Sequence, residues 1–331
     1  MNALTVMHPR SKQHGFSLIE LLIALTLSLV VIGGAIQILL SGQRSYQLLL
    51  QQARLQENAR MALSYLAADI RQAGFVGCDL QSIPIANLVG NRTESWLYGW
   101  DDVDDFGKGI VDGTDVLAVR RFQFDHSRKL ISQSSNTVST LLTTTSGIEF
   151  DNEPIVALVD SDCSNMAIFQ VTDSTNSSVE VEAGGANCSH ILRGNFDCDQ
   201  LANADPSRRY SPDAQLFAIE HIGYAIHPPS SKSLTEGTSL WRLNFNGSNQ
   251  EIIEGVDDLQ LRYGLDTSNP VDGVIDRYFN AAQINAANHL SFDQLVAVEI
   301  TLTMRAESQS IGGEDLTLSL TAQVRLANGV L

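Results

Sequence analysis

At 331 residues, with 44% apolar and only 18% charged residues, the chain is long enough for one large folded region or two of ordinary size. Its net charge of −17 repels phosphate backbones, and no basic run is longer than a pair such as Arg120-Arg121 or Arg208-Arg209, so charge-driven nucleic-acid binding is excluded. The seven histidines are scattered, and no nucleophile elbow, phosphate loop, His-Glu-x-x-His helix or dinucleotide fingerprint is present, which points away from catalysis and from a bound cofactor.

The N-terminal stretch is a polar leader, Met1 to His14, whose only formal charges are Arg10 and Lys12. Gly15-Phe16-Ser17-Leu18-Ile19-Glu20 follows, and the chain then stays apolar to Leu40, interrupted mainly by Glu20, Thr26, Ser28 and Gln37. About 20 such residues cross a bilayer as a helix. The basic flank predicts that the N-terminus stays in the cytoplasm and the rest lies outside it. Glu20 is the misfit, because a carboxylate costs about 2.5–3.5 kcal/mol near the membrane centre and somewhat less near the interface. A cut between Gly15 and Phe16 would create an amine to pair with it, on the same chain or on a neighbour. An ordinary secretory signal ending at Gly33-Gly34-Ala35 is disfavoured by the acid inside its apolar region. A plain membrane anchor leaves Gly15 and Glu20 without explanation.

The helix is predicted to continue beyond the membrane. Leu48, Leu55, Ala59, Ala62, Leu63, Leu66, Ile70 and Ala73 recur in steps of three, four and seven, the spacing of one helical stripe. Gly74 supplies the stop. Phe16 to Ala73 would span roughly 87 Å at about 1.5 Å per residue, with Gly33-Gly34 the cheapest place to bend. Residues 1–15 therefore read as leader, 16–40 as the half facing lipid or neighbouring helices, 41–74 as an amphipathic half, and 75–331 as the body beneath its stripe. Arg60, Asp69 and Arg71 read as residues that solvate the outer face.

From Phe75 to Asp115 there is little periodicity. Asp101-Asp102-Val103-Asp104-Asp105, beside Trp96, Tyr98 and Trp100, reads as a solvated loop before a cation site or a docking loop. Gly113 to Arg120 reads as a turn into a strand. Further strands are predicted at residues 137–144, 154–159, 166–172, 179–181, 215–226, 239–245, 256–263, 294–304 and 316–326, with a short helix near 281–287. The alternation of Leu295 to Met304 suits antiparallel strands with one wet face. The predicted fold class is α+β: a long N-terminal helix, transmembrane then amphipathic, packed on a large antiparallel β-rich domain.

All four cysteines, Cys78, Cys163, Cys188 and Cys198, lie beyond the apolar run. An even count outside the cytoplasm reads as two disulfides with three pairings open. Cys188 and Cys198 bracket a short loop, which favours joining them and leaving Cys78 with Cys163. A zinc site of Cys163, Cys188, His190 and Cys198 lacks the short paired spacing of structural zinc. The loop from Asp266 to Asp276 alternates oxygen side chains around Gly273, with Asp266, Asp272 and Asp276 as candidate Ca²⁺ ligands. Pro270 and Val271 stand where ligands would help and no glutamate follows at the right distance, so a β-turn loop is the preferred reading.

Gly15-Phe16-Ser17-Leu18-Ile19-Glu20-Leu21 ahead of an apolar helix resembles the class III signal sequence of type IV prepilins and type II secretion pseudopilins. The resemblance implies cleavage after Gly15, N-methylation of Phe16 by the prepilin peptidase, and guidance of filament assembly by Glu20. Gln56 to Leu63, Asp69 to Phe75, Gly77-Cys78, Gly113 to Arg120, Asp162-Cys163, Ile168 to Thr172 and Val256 to Gly264 are similar to blocks of the PilW-type minor pilins. Those relatives carry a denser Asp-rich run where this chain has its Asp266 loop. The family implies a non-catalytic single-pass inner-membrane protein with a periplasmic C-terminal domain, which joins a minor-pilin complex that primes the type IV pilus and sits at or near its tip. Implied partners are the prepilin peptidase, other minor pilins, the major pilin, the inner-membrane platform protein, membrane lipid and, as an option, a tip adhesin, with no nucleic acid. The alternatives are a GspJ-like secretion pseudopilin, usually a smaller protein, and a membrane-anchored periplasmic binding or adhesion domain.

Overall fold

The computed structural model describes residues 17–78, 80, 82–90, 95–103, 109–146, 154–207, 209–230, 237–244, 248–306 and 316–327, apart from the side chain of His126. Its first element is α1, Leu18–Gln72, a helix of 55 residues and so roughly 83 Å long at about 1.5 Å per residue. No proline interrupts it, and Leu, Ala, Gln and Arg supply high helix propensity. It runs through Gly33 and Gly34 without a break, so the cheapest place to bend stays helical. At its end Gly74 takes φ +60°, and an added Cβ would stand 2.7 Å from Trp96 Cγ. Left-handed backbone and close approach together require glycine there. Phe16, the predicted start, lies outside the described residues.

The helix divides by burial. Every described residue up to Leu50 is exposed, and Leu55 is the first buried one. From there Leu55, Ala59, Ala62, Leu66, Ala67, Ile70 and Ala73 form a buried stripe. Leu48, predicted to belong to the stripe, is 39% exposed, because the body does not reach that far along the helix.

The body holds two sheets. The larger has eleven strands: β1 Ile85–Asn87, β2 Leu97–Val103, β3 Thr114–Ser135, β4 Ser139–Thr144, β5 Ile155–Val159, β6 Met166–Gln170, β7 Asp173–Ser174, β8 Ser178–Glu182, β9 Gln215–His227, β10 Ser239–Asn244 and β11 Gln250–Glu254. Its main path is β1-β6-β5-β9-β3-β4-β8-β7, with β2 on β3 and the β10–β11 pair on β9. The smaller comprises β12 Val256–Leu265, β13 Arg277–Phe279, β14 Leu295–Arg305 and β15 Thr317–Arg325 in the order β13-β12-β14-β15, and α2, Ala281–Ala286, lies between β13 and β14. Every pairing is antiparallel except β1 with β6.

The predicted strands were right in kind and close in extent, apart from β3 and the strands not predicted. β3 runs for 22 residues, far beyond the predicted turn-in at 113–120, because its polar stretch around Asp125 to Lys129 hides the alternation. Its pairing with β9 crosses a register shift between Gln123 and Arg128 and continues to Lys129, and β4 takes over from Leu130. β1, β2, β7, β11 and β13 were not anticipated; all but β2 are short, and short strands carry little periodicity.

The main core joins the helix stripe to both sheets. Ala59, Ala62, Leu66 and Ile70 pack with Leu117, Ile222 and Tyr224 of the large sheet and with Leu259, Leu261, Val298 and Ile300 of the small one. A second core lies under β4, β5, β6 and β8, and a third gathers Val76, Leu80, Phe122 and Phe217 beside Cys78 and Cys163. The disulfides are Cys78–Cys163 and Cys188–Cys198, the favoured pairing. Their sulfurs cannot serve as thiolate ligands, which removes the zinc reading.

Candidate functional site

The apolar half of α1 is built for contact with something outside the chain. Leu18, Leu29, Val30 and Ile38 are more than 70% exposed, and a long window of the helix is apolar enough to cross a membrane with none of it buried. Glu20 occupies its first turn, where the Ser17 N–H donates to Glu20 Oε2 at 3.0 Å. The acid thus satisfies one orphan amide of the helix start and lies at the positive end of the helix dipole. The amine proposed as its partner belongs to Phe16, which, like Gly15 and the leader, lies outside the described residues.

At the other end α1 is anchored by an ion network that the sequence did not reveal. Asp69, read as an outer-face residue, is 6% exposed. Its Oδ1 accepts from Arg121 Nη1 at 2.8 Å, and its Oδ2 accepts from the Tyr224 hydroxyl at 2.6 Å and Arg242 Nε at 3.5 Å. Glu220 binds both arginines, Arg121 Nε at 2.9 Å and Arg242 Nη2 at 3.0 Å. The strand register brings them together: Arg121 faces Glu220 across β3 and β9, and Arg242 faces Tyr224 across β10 and β9. Burial alone would raise the Glu220 carboxyl, but Arg121 and Arg242 outweigh it and hold it below its ordinary value. Burial, reinforced by Asp69, pushes the Tyr224 hydroxyl far above the usual range, so it stays a donor. Two carboxylates and two guanidiniums cancel in charge, the condition under which buried ions are tolerated. The available signal was Glu220 itself, a charge inside the apolar run Leu216 to Ile222. Arg60 and Arg71 are exposed as expected.

Several acidic residues of the body serve as acceptors for backbone amides of other segments. Asp101 accepts from the N–H groups of Ala281 and Ala282 at 2.9 and 2.7 Å, satisfying the start of α2. It therefore lies in β2 and binds a helix, where a solvated loop was expected; Asp104 and Asp105 lie outside the described residues. Asp115, 2% exposed, accepts from the N–H groups of Asp102 and Leu261. Burial raises its carboxyl to about 6 against those two hydrogen bonds. His221 binds the Tyr98 hydroxyl at 2.8 Å, and burial, then the nearby Arg120, lower it to about 4.

The Asp266 loop is organised in the same way. Asp266 accepts from the Ser268 hydroxyl and from the N–H groups of Ser268, Asp272 and Gly273. The Ser268 hydroxyl leads in lowering its carboxyl to about 2. Asp276 accepts from Thr267 N–H and hydroxyl, and Asp272 from Val274 N–H. All three candidate Ca²⁺ ligands therefore serve as turn acceptors. Among the described residues no three His, Cys, Asp or Glu side chains converge as a metal site would require.

Comparison with known families yields two matches. Residues 10–36 match the prokaryotic N-terminal methylation motif, which covers Gly15 to Glu20 and the first turns of α1. Residues 229–328 match the family model of the type IV pilus-assembly protein W, covering β10 to β15. Together they are consistent with a PilW-type prepilin. Of the internal blocks similar to PilW-type pilins, Val256 to Gly264 falls inside the matched stretch and the others precede it. No curated protein and no solved structure matches the chain at a significant level. The motif and the unburied apolar helix, the one such helix among the described residues, fit a membrane-anchored pilin associated with a type IV pilus.

Proposed function

We propose that this chain is a non-catalytic minor pilin that helps initiate type IV pilus assembly within a minor-pilin complex at or near the tip. The observation that carries the reading is the methylation motif on an apolar helix half that the body leaves uncovered, continuous with a half locked into that body. An uncovered apolar helix needs lipid before assembly and neighbouring helices after it. Cleavage after Gly15 by the prepilin peptidase would free the Phe16 amine for methylation and supply a counter-charge for Glu20 of the same or an adjacent subunit. Other minor pilins, the major pilin and the inner-membrane platform protein are the partners in this scheme. The match to a pilus-assembly family, together with a body larger than a secretion pseudopilin usually has, supports the pilus over the secretion machine.

Mass spectrometry of the mature N-terminus, from cells with and without the prepilin peptidase, tests the first step. A chain starting at N-methylated Phe16 only when the peptidase is present is the expected result; an uncut chain, or one starting after Ala35, would overturn it. Glu20→Ala should leave cleavage largely intact and reduce incorporation, read as the amount of protein in sheared filaments. Wild-type levels there would sink the assembly role of Glu20.

A further inference from the structure

A cleft of about 470 Å³ opens between β2 and the segment that runs from α2 into β14. One wall carries Tyr98 and Trp100 with Ser95; the other carries Asn285, Asn288 and Ser291. None of the eleven lining residues is charged, in a chain of net charge −17. The nearby carboxylates are already committed. Asp293 accepts from the hydroxyls of Ser95 at 2.6 Å and Ser291 at 2.9 Å, and Asp101 binds the start of α2. With their protons directed at Asp293, the serine oxygens keep acceptor lone pairs, although Ser291 Oγ already takes the Asp293 N–H at 3.1 Å and has one left. The side-chain amides of Asn285 and Asn288 form no hydrogen bond among the described residues, and each offers a donor and an acceptor.

The walls are held from behind. The Tyr263 ring packs edge-on against Phe292 at 5.1 Å, and its hydroxyl, fully buried and unpartnered among the described residues, stands behind Gly99, where a Cβ would collide with it. The size is that of a small-ligand pocket. Mixed donors and acceptors beside aromatic rings suit a molecule that has hydroxyl groups on its edges and C–H surface on its faces. An anion finds no cationic side chain in the lining, and a cation finds no uncommitted carboxylate. Strand addition by a peptide needs an accessible strand edge, and Leu97 and Gly99, whose backbone groups point away from β3 given the Arg120 N–H bond to the Trp96 carbonyl and the alternation of antiparallel ladders, are buried. We infer that this cleft binds a neutral saccharide. The site lies on the body, and the inference does not depend on the assembly role of α1.

Isothermal titration and tryptophan fluorescence of the full chain, in a detergent without a sugar headgroup, would test it against maltotetraose, chitotetraose and lacto-N-tetraose. Polysialic acid and a neutral acetylated Ser-Gly-Thr-Ser peptide amide serve as contrasts. At least one neutral oligosaccharide should bind saturably. Asn285→Ala combined with Asn288→Ala should weaken it about tenfold, the loss expected for two hydrogen bonds, at an unchanged unfolding midpoint, since both side chains are exposed. Trp100→Ala should remove the fluorescence response. No saturable binding by any of the three sugars, binding that the asparagine variant does not weaken, or preference for polysialic acid or the peptide would overturn the inference.

Discussion

Replacing Asp69 by alanine would leave Arg121, Arg242 and Tyr224 facing a space without its carboxylate, with Glu220 the one remaining counter-charge. Breaking a buried ion group from one side costs about 3–5 kcal/mol, because the abandoned charges stay desolvated. That is a large share of the roughly 5–15 kcal/mol that stabilises a typical domain. Asp69→Ala should therefore lower the denaturant midpoint sharply, whereas Arg60→Ala on the exposed face should move it by less than about 0.5 kcal/mol. Equal effects of the two would show that the network contributes little. Asp101 and Asp115 show the same logic on neutral partners: Asp101 binds two amides at the start of α2 and Asp115 one amide each of β2 and β12, and each reads in the sequence as one acid among several.

At the scale of the element, α1 is one helix under two requirements. Its N-terminal half must be apolar all round to meet lipid or other helices, and its C-terminal half must be apolar on one stripe. Small residues set how closely that stripe approaches the sheets, since Ala59, Ala62 and Ala73 are fully buried. Ala62→Leu adds three carbons where no space exists and should cost about 1–3 kcal/mol by overpacking. Ala68→Leu, on the exposed side of the same helix, should be close to neutral. Thermal unfolding of the two variants measures this directly, and indifference at Ala62 would show that the helix can lift from its seat. The stripe was legible because a 3.6-residue period is local. Its N-terminal limit was not, because Leu48 and Leu55 look alike in sequence and only the extent of the body separates them.

For the whole molecule, the two disulfides tie different amounts of chain. Cys78–Cys163 closes a separation of 85 residues and holds the end of α1 to the loop after β5, whereas Cys188–Cys198 closes 10. In the chain-entropy account the larger loop is worth about 4.6 kcal/mol and the smaller about 2.8 kcal/mol, as upper values. Cys78→Ala with Cys163→Ala should therefore lower the unfolding midpoint more than Cys188→Ala with Cys198→Ala. The reverse order, read by denaturant titration, would place the greater contribution in the short loop. One core joins the C-terminal stripe of α1 to both sheets, so the body holds that half of the helix firmly.

What the sequence determined by itself is what neighbouring residues encode: the methylation motif around Gly15 to Glu20, the apolar run, the stripe, the stop at Gly74 and the alternation of the longer strands. The even cysteine count and the short Cys188–Cys198 spacing carried the pairing as well. The tertiary structure decided which strand pairs with which, how far β3 extends, and what the acidic residues do. Asp69 meets Tyr224 across 155 residues, Asp115 meets Leu261 across 146, and Asp101 meets Ala281 across 180. Local periodicity reports the preference of a segment for helix or strand. The fate of a carboxylate depends on whether a distant segment brings a donor and excludes water, and that is settled only when the chain has folded.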